Sequence, residues 1–73
     1  MKTIGEVRRD IDGLVGMLVE KGKIAPEVSI GIYSLTDNIR VWMRFRNSPL
    51  SERSMKYTSG DTPEEALDKA RTL

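Results

Sequence analysis

Ile39-Arg40-Val41-Trp42-Met43-Arg44-Phe45-Arg46 separates into two residue classes that take turns along the chain. Successive side chains of an extended strand point to opposite faces, so Ile39, Val41, Met43 and Phe45 share one side while Arg40, Trp42, Arg44 and Arg46 share the other. A helix would scatter both sets around its axis. The stretch therefore predicts a strand over 39–46, with one apolar face to be covered and one cationic face carrying an indole.

Upstream, Val28, Ile30 and Ile32 alternate with Ser29, Gly31 and Tyr33, which predicts a second half-buried strand over 27–35. Thr36, Asp37 and Asn38 between the two are turn formers, since short polar side chains bond their own backbone and Asn tolerates positive φ. The two strands should form an antiparallel hairpin. Downstream, Asn47, Ser48, Pro49 and Ser51 mark a loop, and 54–58 reads as a short third strand with Met55 and Tyr57 on one side, Tyr57 directed inward like Phe45. Ser59, Gly60 and Asp61 then read as its end.

Helical spacing governs both ends of the chain. Ile4, Val7, Ile11, Leu14, Val15 and Leu18 fall within about 100° of arc on a helical wheel, one stripe to be buried. Thr3 and Glu6 have capping-box spacing; Gly22, flanked by Lys21 and Lys23 and followed by Pro26, reads as a stop. The first helix is expected at 4–21. Gly13 and Gly16 lie inside it, away from the stripe: either another chain or a nucleic-acid backbone approaches there, or a solvent face simply tolerates them. Thr62 as cap, Pro63 at the first helical position and Glu64 and Glu65 in the first turn predict a second helix over 63–73, with Ala66, Leu67, Ala70 and Leu73 apolar and no stop signal before the chain ends.

The order helix–strand–strand–strand–helix predicts an α+β fold, a two-layer αβββα sandwich with a three-stranded antiparallel sheet and both helices on its apolar face. At 73 residues one domain, 1–73, is the expected count. So small a core supplies only about 3 to 5 kcal/mol of net stability, and without cysteine or histidine neither disulfides nor zinc can staple it. A partner subunit is the remaining support. The cysteine-free composition, with no secretion signal and no apolar run long enough for a bilayer, points to the cytoplasm.

Twelve basic and eleven acidic residues give a net charge of +1. They are unevenly spread: residues 40–57 carry five basic groups against Glu52 alone. The candidate binding surface is accordingly Tyr33, Arg40, Trp42, Arg44, Arg46 and Lys56, on the open sheet face.

The element order resembles that of the double-stranded-RNA-binding domain. That family holds phosphates with a lysine-rich start to its last helix, and Thr62, Pro63, Glu64 and Glu65 stand at the matching place, so the resemblance extends to the fold without RNA binding. The stretch from Gly60 to Leu67 is also similar to the strand-to-helix junction of HicB-type antitoxins, over about a dozen residues; the proline- and glycine-bearing segment that usually precedes it there is missing.

Two functions compete. A protein-interaction or self-association module, with a homodimer as its leading form, fits an exposed Trp ringed by Arg and could use the open face or an edge strand. A nucleic-acid-binding module would place Arg40, Arg44, Arg46 and Lys56 on phosphates and stack bases on Trp42 or Tyr33. The blander alternative is a solvated strand face whose arginine stems cover the indole. An enzyme is not expected: no histidine or cysteine base exists, no glycine loop follows a strand, and Asp10 with Asp12 do not face each other on a helix while Glu64 with Glu65 answer to the helix dipole. No cofactor, metal, membrane or small-molecule substrate is indicated. Met17 and Met43 are read as core filling.

Overall fold

A computed structural model describes residues 3–73. Helix α1 spans Ile4–Glu20, strands β1, β2 and β3 span Ile24–Tyr33, Asn38–Arg46 and Arg53–Gly60, and helix α2 spans Pro63–Arg71. The sheet is antiparallel in the order β1-β2-β3, so β2 is central and both outer strands are edges. This is the α+β arrangement expected.

The core follows from the β2 alternation. Val41, Met43 and Phe45 are buried, and Leu14 and Leu18 of α1 and Ala66, Leu67 and Ala70 of α2 pack on them, with Val28, Ile30, Ile39 and Met17 half-buried at the margin. Both helices thus lie on one sheet face. Burial within α1 concentrates in its second half; Ile4, expected in the buried stripe, is 90% exposed. Leu73, placed among the apolar positions of the last helix, lies beyond its end and is 47% exposed.

Local chemistry sets the helix ends. The Glu6 amide donates to Thr3 Oγ1 at 3.2 Å and the Glu65 amide to Thr62 Oγ1 at 3.2 Å. Glu65 in turn accepts from the Asp61 amide at 3.1 Å, so the reach-back of this box lands one residue before the cap. Helix α1 closes with the Lys23 amide on the Leu18 carbonyl, the Gly22 amide on that of Val19 and φ of +82° at Gly22, a Schellman stop that favours glycine.

Strand bounds differ from expectation by two residues or more at three places. Strand β1 starts at Ile24 and carries Pro26 within a register shift between Ile24 and Glu27, where Ala25 has φ of +50°; a bulge at a sheet edge accepts a proline that a regular ladder would not. It ends at Tyr33, paired with Asn38, leaving residues 34–37 as the hairpin loop with Asp37 at φ of +52°. Strand β3 runs through Ser59 and Gly60, paired with Arg40 and Ile39. Gly60 continues the strand because α2 crosses directly above it: a Cβ there would stand 2.8 Å from Glu65 Cβ and 2.9 Å from the Ala66 backbone nitrogen. The last helix ends at Arg71, capped by Thr72, rather than at residue 73.

The two layers are further tied by polar contacts. Thr58, buried in the core, donates to the Ala66 carbonyl at 2.7 Å. Arg71 pairs with Asp10 of α1 at 3.0 Å and with Asp68 in its own helix.

Candidate functional site

Antiparallel pairing places cross-strand partners on the same face, so the register assigns every side chain of the open face. Ser29 is opposite Trp42, Gly31 opposite Arg40, Trp42 opposite Tyr57, Arg44 opposite Met55, and Arg46 opposite Arg53. Five of the six residues proposed from sequence, Tyr33, Arg40, Trp42, Arg44 and Arg46, are brought together there. Lys56 is not: it pairs with Met43, whose side chain is buried, and therefore stands on the helix side of the sheet.

Tyr57 corrects the sequence reading in the opposite sense. Expected in the core, it is 51% exposed on the open face, with Met55 beside it at 53%. The cause is the thickness available over β3. Helix α2 approaches so closely that the inward positions hold Thr58 and Gly60, and a phenol ring finds space only on the other side.

The centre of the face is a stack of three side chains from three strands. The Arg40 guanidinium carbon lies 3.6 Å from the Tyr33 ring centroid and 4.0 Å from that of Tyr57. Each cation–π contact contributes about 0.5 to 1 kcal/mol where solvent reaches it, and more where water is excluded. Water is excluded here on one side of the group, since Arg40 Nε is buried with no hydrogen-bond partner among the described residues. Beside the stack the half-buried Trp42 lies over Gly31, where a Cβ would meet the indole Cζ3 at 3.4 Å. The indole covers backbone that the glycine leaves bare.

Charge is arranged around this aromatic centre. Glu27 reaches across β2 to Arg53, 2.8 Å away, and so offsets the Arg46–Arg53 juxtaposition. Arg44 and Arg46 are exposed and make no ion pair among the described residues. A depression of about 250 Å³ lined by Arg44, Arg53, Ser54 and Met55 sits at the β3 side. Of the two guanidinium groups there, that of Arg53 is engaged by Glu27 and that of Arg44 makes no ion pair among the described residues.

Sequence reasoning missed Tyr57, Met55, Arg53 and Glu27. Small residues at alternate positions, Thr58 and Gly60, just before a capped helix were the available signal for the true facing of β3. Among the described residues no cluster of His, Cys, Asp or Glu could hold a metal, and no helix is long and apolar enough to cross a membrane.

Compared with models of known protein families, with curated proteins and with solved structures, the chain matches none. The αβββα order that prompted the comparison with double-stranded-RNA-binding domains is present, and no relationship to that family or to HicB antitoxins accompanies it. At the start of α2, Glu65 is engaged by the Asp61 amide and by Lys69 at 3.4 Å, which holds its carboxyl below the ordinary glutamate range. That helix start presents a carboxylate where the RNA-binding family presents lysines.

Proposed function

We propose that this chain is a small protein-interaction module whose contact surface is the open sheet face. The observation that carries the reading is Arg40 clamped between Tyr33 and Tyr57. Tyr, Trp and Arg dominate binding hot spots, and side chains already stacked lose little further freedom when a partner arrives. Trp42 and Met55 extend the apolar centre, while Arg44 and Arg46 supply a cationic rim, so the complementary surface is a flat protein face with an apolar middle and acidic margins. The lack of cysteine supports a cytoplasmic setting. The reading assigns no catalytic step and no cofactor.

A nucleic-acid strand is the second reading, favoured by Tyr57, which raises the open face to three aromatics among exposed arginines. Against it, each tyrosine already has one ring face covered by the Arg40 guanidinium, and a net charge of +1 gives little long-range attraction for phosphates.

The test is affinity capture from the source cells with the wild-type chain and with Arg44→Glu/Arg46→Glu, each with and without nuclease. Both positions are exposed, so the variant keeps its fold. The reading expects proteins retained by the wild type, lost with the variant and unaffected by nuclease. Retention that nuclease abolishes transfers the surface to nucleic acid, and retention identical on both chains removes the open face from binding.

A further inference from the structure

The two edges of the sheet are protected differently. Strand β3 carries Arg53 and Lys56, α2 covers its inner face, and Lys69 Nζ donates to the Ser59 carbonyl at 2.9 Å. The first part of β1 is blunted by the register shift at Ile24–Glu27, by Pro26 and by the charge of Glu27. These are ordinary devices against strand addition. The second part of β1 has none of them. From Val28 to Thr36 the chain contains no charge and no proline, and Val28–Tyr33 pair with β2 in unbroken register while their outer side faces no strand among the described residues.

Apolar surface is left uncovered at the same place. Ile32 is 70% exposed and Leu35 81% exposed, and Ile4 at the start of α1 is 90% exposed. Ile4, Val7, Arg8 and Ile11 form with Ile30 a groove of about 360 Å³. Aliphatic side chains collected beside an open strand edge, on so small a chain, are more than scattered surface residues.

We infer that a second copy of this chain occupies the site, its β1 adding antiparallel to β1 about a two-fold axis at Gly31. The inference rests on the outer edge and the helix-side residues of β1, and not on Arg44 and Arg46 of the open-face reading. The occupant must be an extended, uncharged segment with an aliphatic side chain at every second position on one side, and β1 itself has that pattern. The centre follows from the strand. Moving it toward the N-terminus draws Pro26 and Glu27 into the ladder, and moving it the other way runs past Tyr33, where the strand ends. With Gly31 opposite itself, Ile30 pairs with Ile32 of the second copy and Ser29 with its Tyr33, all on matching faces. Each groove then receives the other copy's Ile32 beneath α1, and Ile4 and Val7 gain a neighbour. The product is a six-stranded sheet with four helices on one side and both arginine–tyrosine faces continuous on the other.

Sedimentation equilibrium over a wide concentration range tests this. The wild type is expected to reach twice the 8.2 kDa chain mass, Ile32→Lys to stay at the single-chain mass with an unchanged circular-dichroism spectrum, and Lys56→Glu, on the opposite edge, to dimerise like the wild type. Arg44→Glu/Arg46→Glu should also dimerise, which separates this inference from the open-face reading. Hydrogen exchange of the wild type gives an independent measure: outward amides between Ser29 and Tyr33 should become protected as concentration rises. A wild type that stays at the single-chain mass overturns the inference, as does an Ile32→Lys variant that dimerises normally, or protection that develops along β3 instead.

Discussion

Gly13 and Gly16 interrupt α1 at its middle, and replacing both with alanine isolates what they cost. Both are exposed, both have ordinary helical φ, and a Cβ built at either meets nothing within 4 Å. No steric term therefore opposes the change. Glycine is about 0.8 to 1.0 kcal/mol less favourable than alanine in a helix interior, and the part due to unfolded-chain entropy alone is about 0.4 to 1 kcal/mol. The two sites share no partner, so Gly13→Ala/Gly16→Ala should add about 1 to 2 kcal/mol. In a chain of this size each kcal/mol moves the midpoint by about 4 to 8 °C. Thermal circular dichroism and urea unfolding at one fixed concentration are the assays, with the urea midpoint rising and the slope unchanged. An unchanged or lowered midpoint would refute the reasoning, because it would mean that something packs on this face of α1. Weakened dimerisation alongside an unchanged or lowered midpoint would identify that neighbour as another copy.

The same substitution at Gly60 should have the opposite sign: its Cβ would collide with the Ala66 backbone nitrogen at 2.9 Å, and displacing the first turn of α2 should cost about 1 to 3 kcal/mol, read as a lower melting temperature. Thr58→Val keeps the shape and loses the 2.7 Å bond to the Ala66 carbonyl, so a loss of about 0.5 to 1.5 kcal/mol is expected in urea unfolding; an unchanged midpoint would show that the hydroxyl is not seated there. For Glu65 the Asp61 amide and then Lys69 lower the folded-state pKa. The carboxylate's contribution is therefore present above the ordinary glutamate range and disappears as pH falls through the lowered value. Wild type should melt above Glu65→Gln near pH 7, and the gap should close as pH falls through the lowered Glu65 value and the carboxylate is neutralised; a gap that persists once the carboxyl is protonated would refute the ionic origin.

Much of this molecule is legible in one dimension because its rules are local. Alternation over 39–46 sets the facing of β2 whatever its neighbours do, since pleating is a property of the strand itself. Thr3 and Thr62 cap the helices they precede because the bonds close within three residues. Arg44 and Arg46 were identifiable as exposed on the same grounds. The sandwich follows, because two apolar helix stripes have only one apolar sheet face to cover.

What tertiary structure decided lies wherever two elements must fit each other. The facing of β3 depended on how near α2 passes: Gly60 and Thr58 fit beneath it, and Tyr57 turned outward onto Arg40. Lys56 was carried to the helix side by the same register. Ile4 and Ile32 satisfy every local test for burial yet remain exposed, because among the described residues no other element packs over them. Composition and period determine which side chains prefer to leave water; only the packing of one element on another determines which of them can.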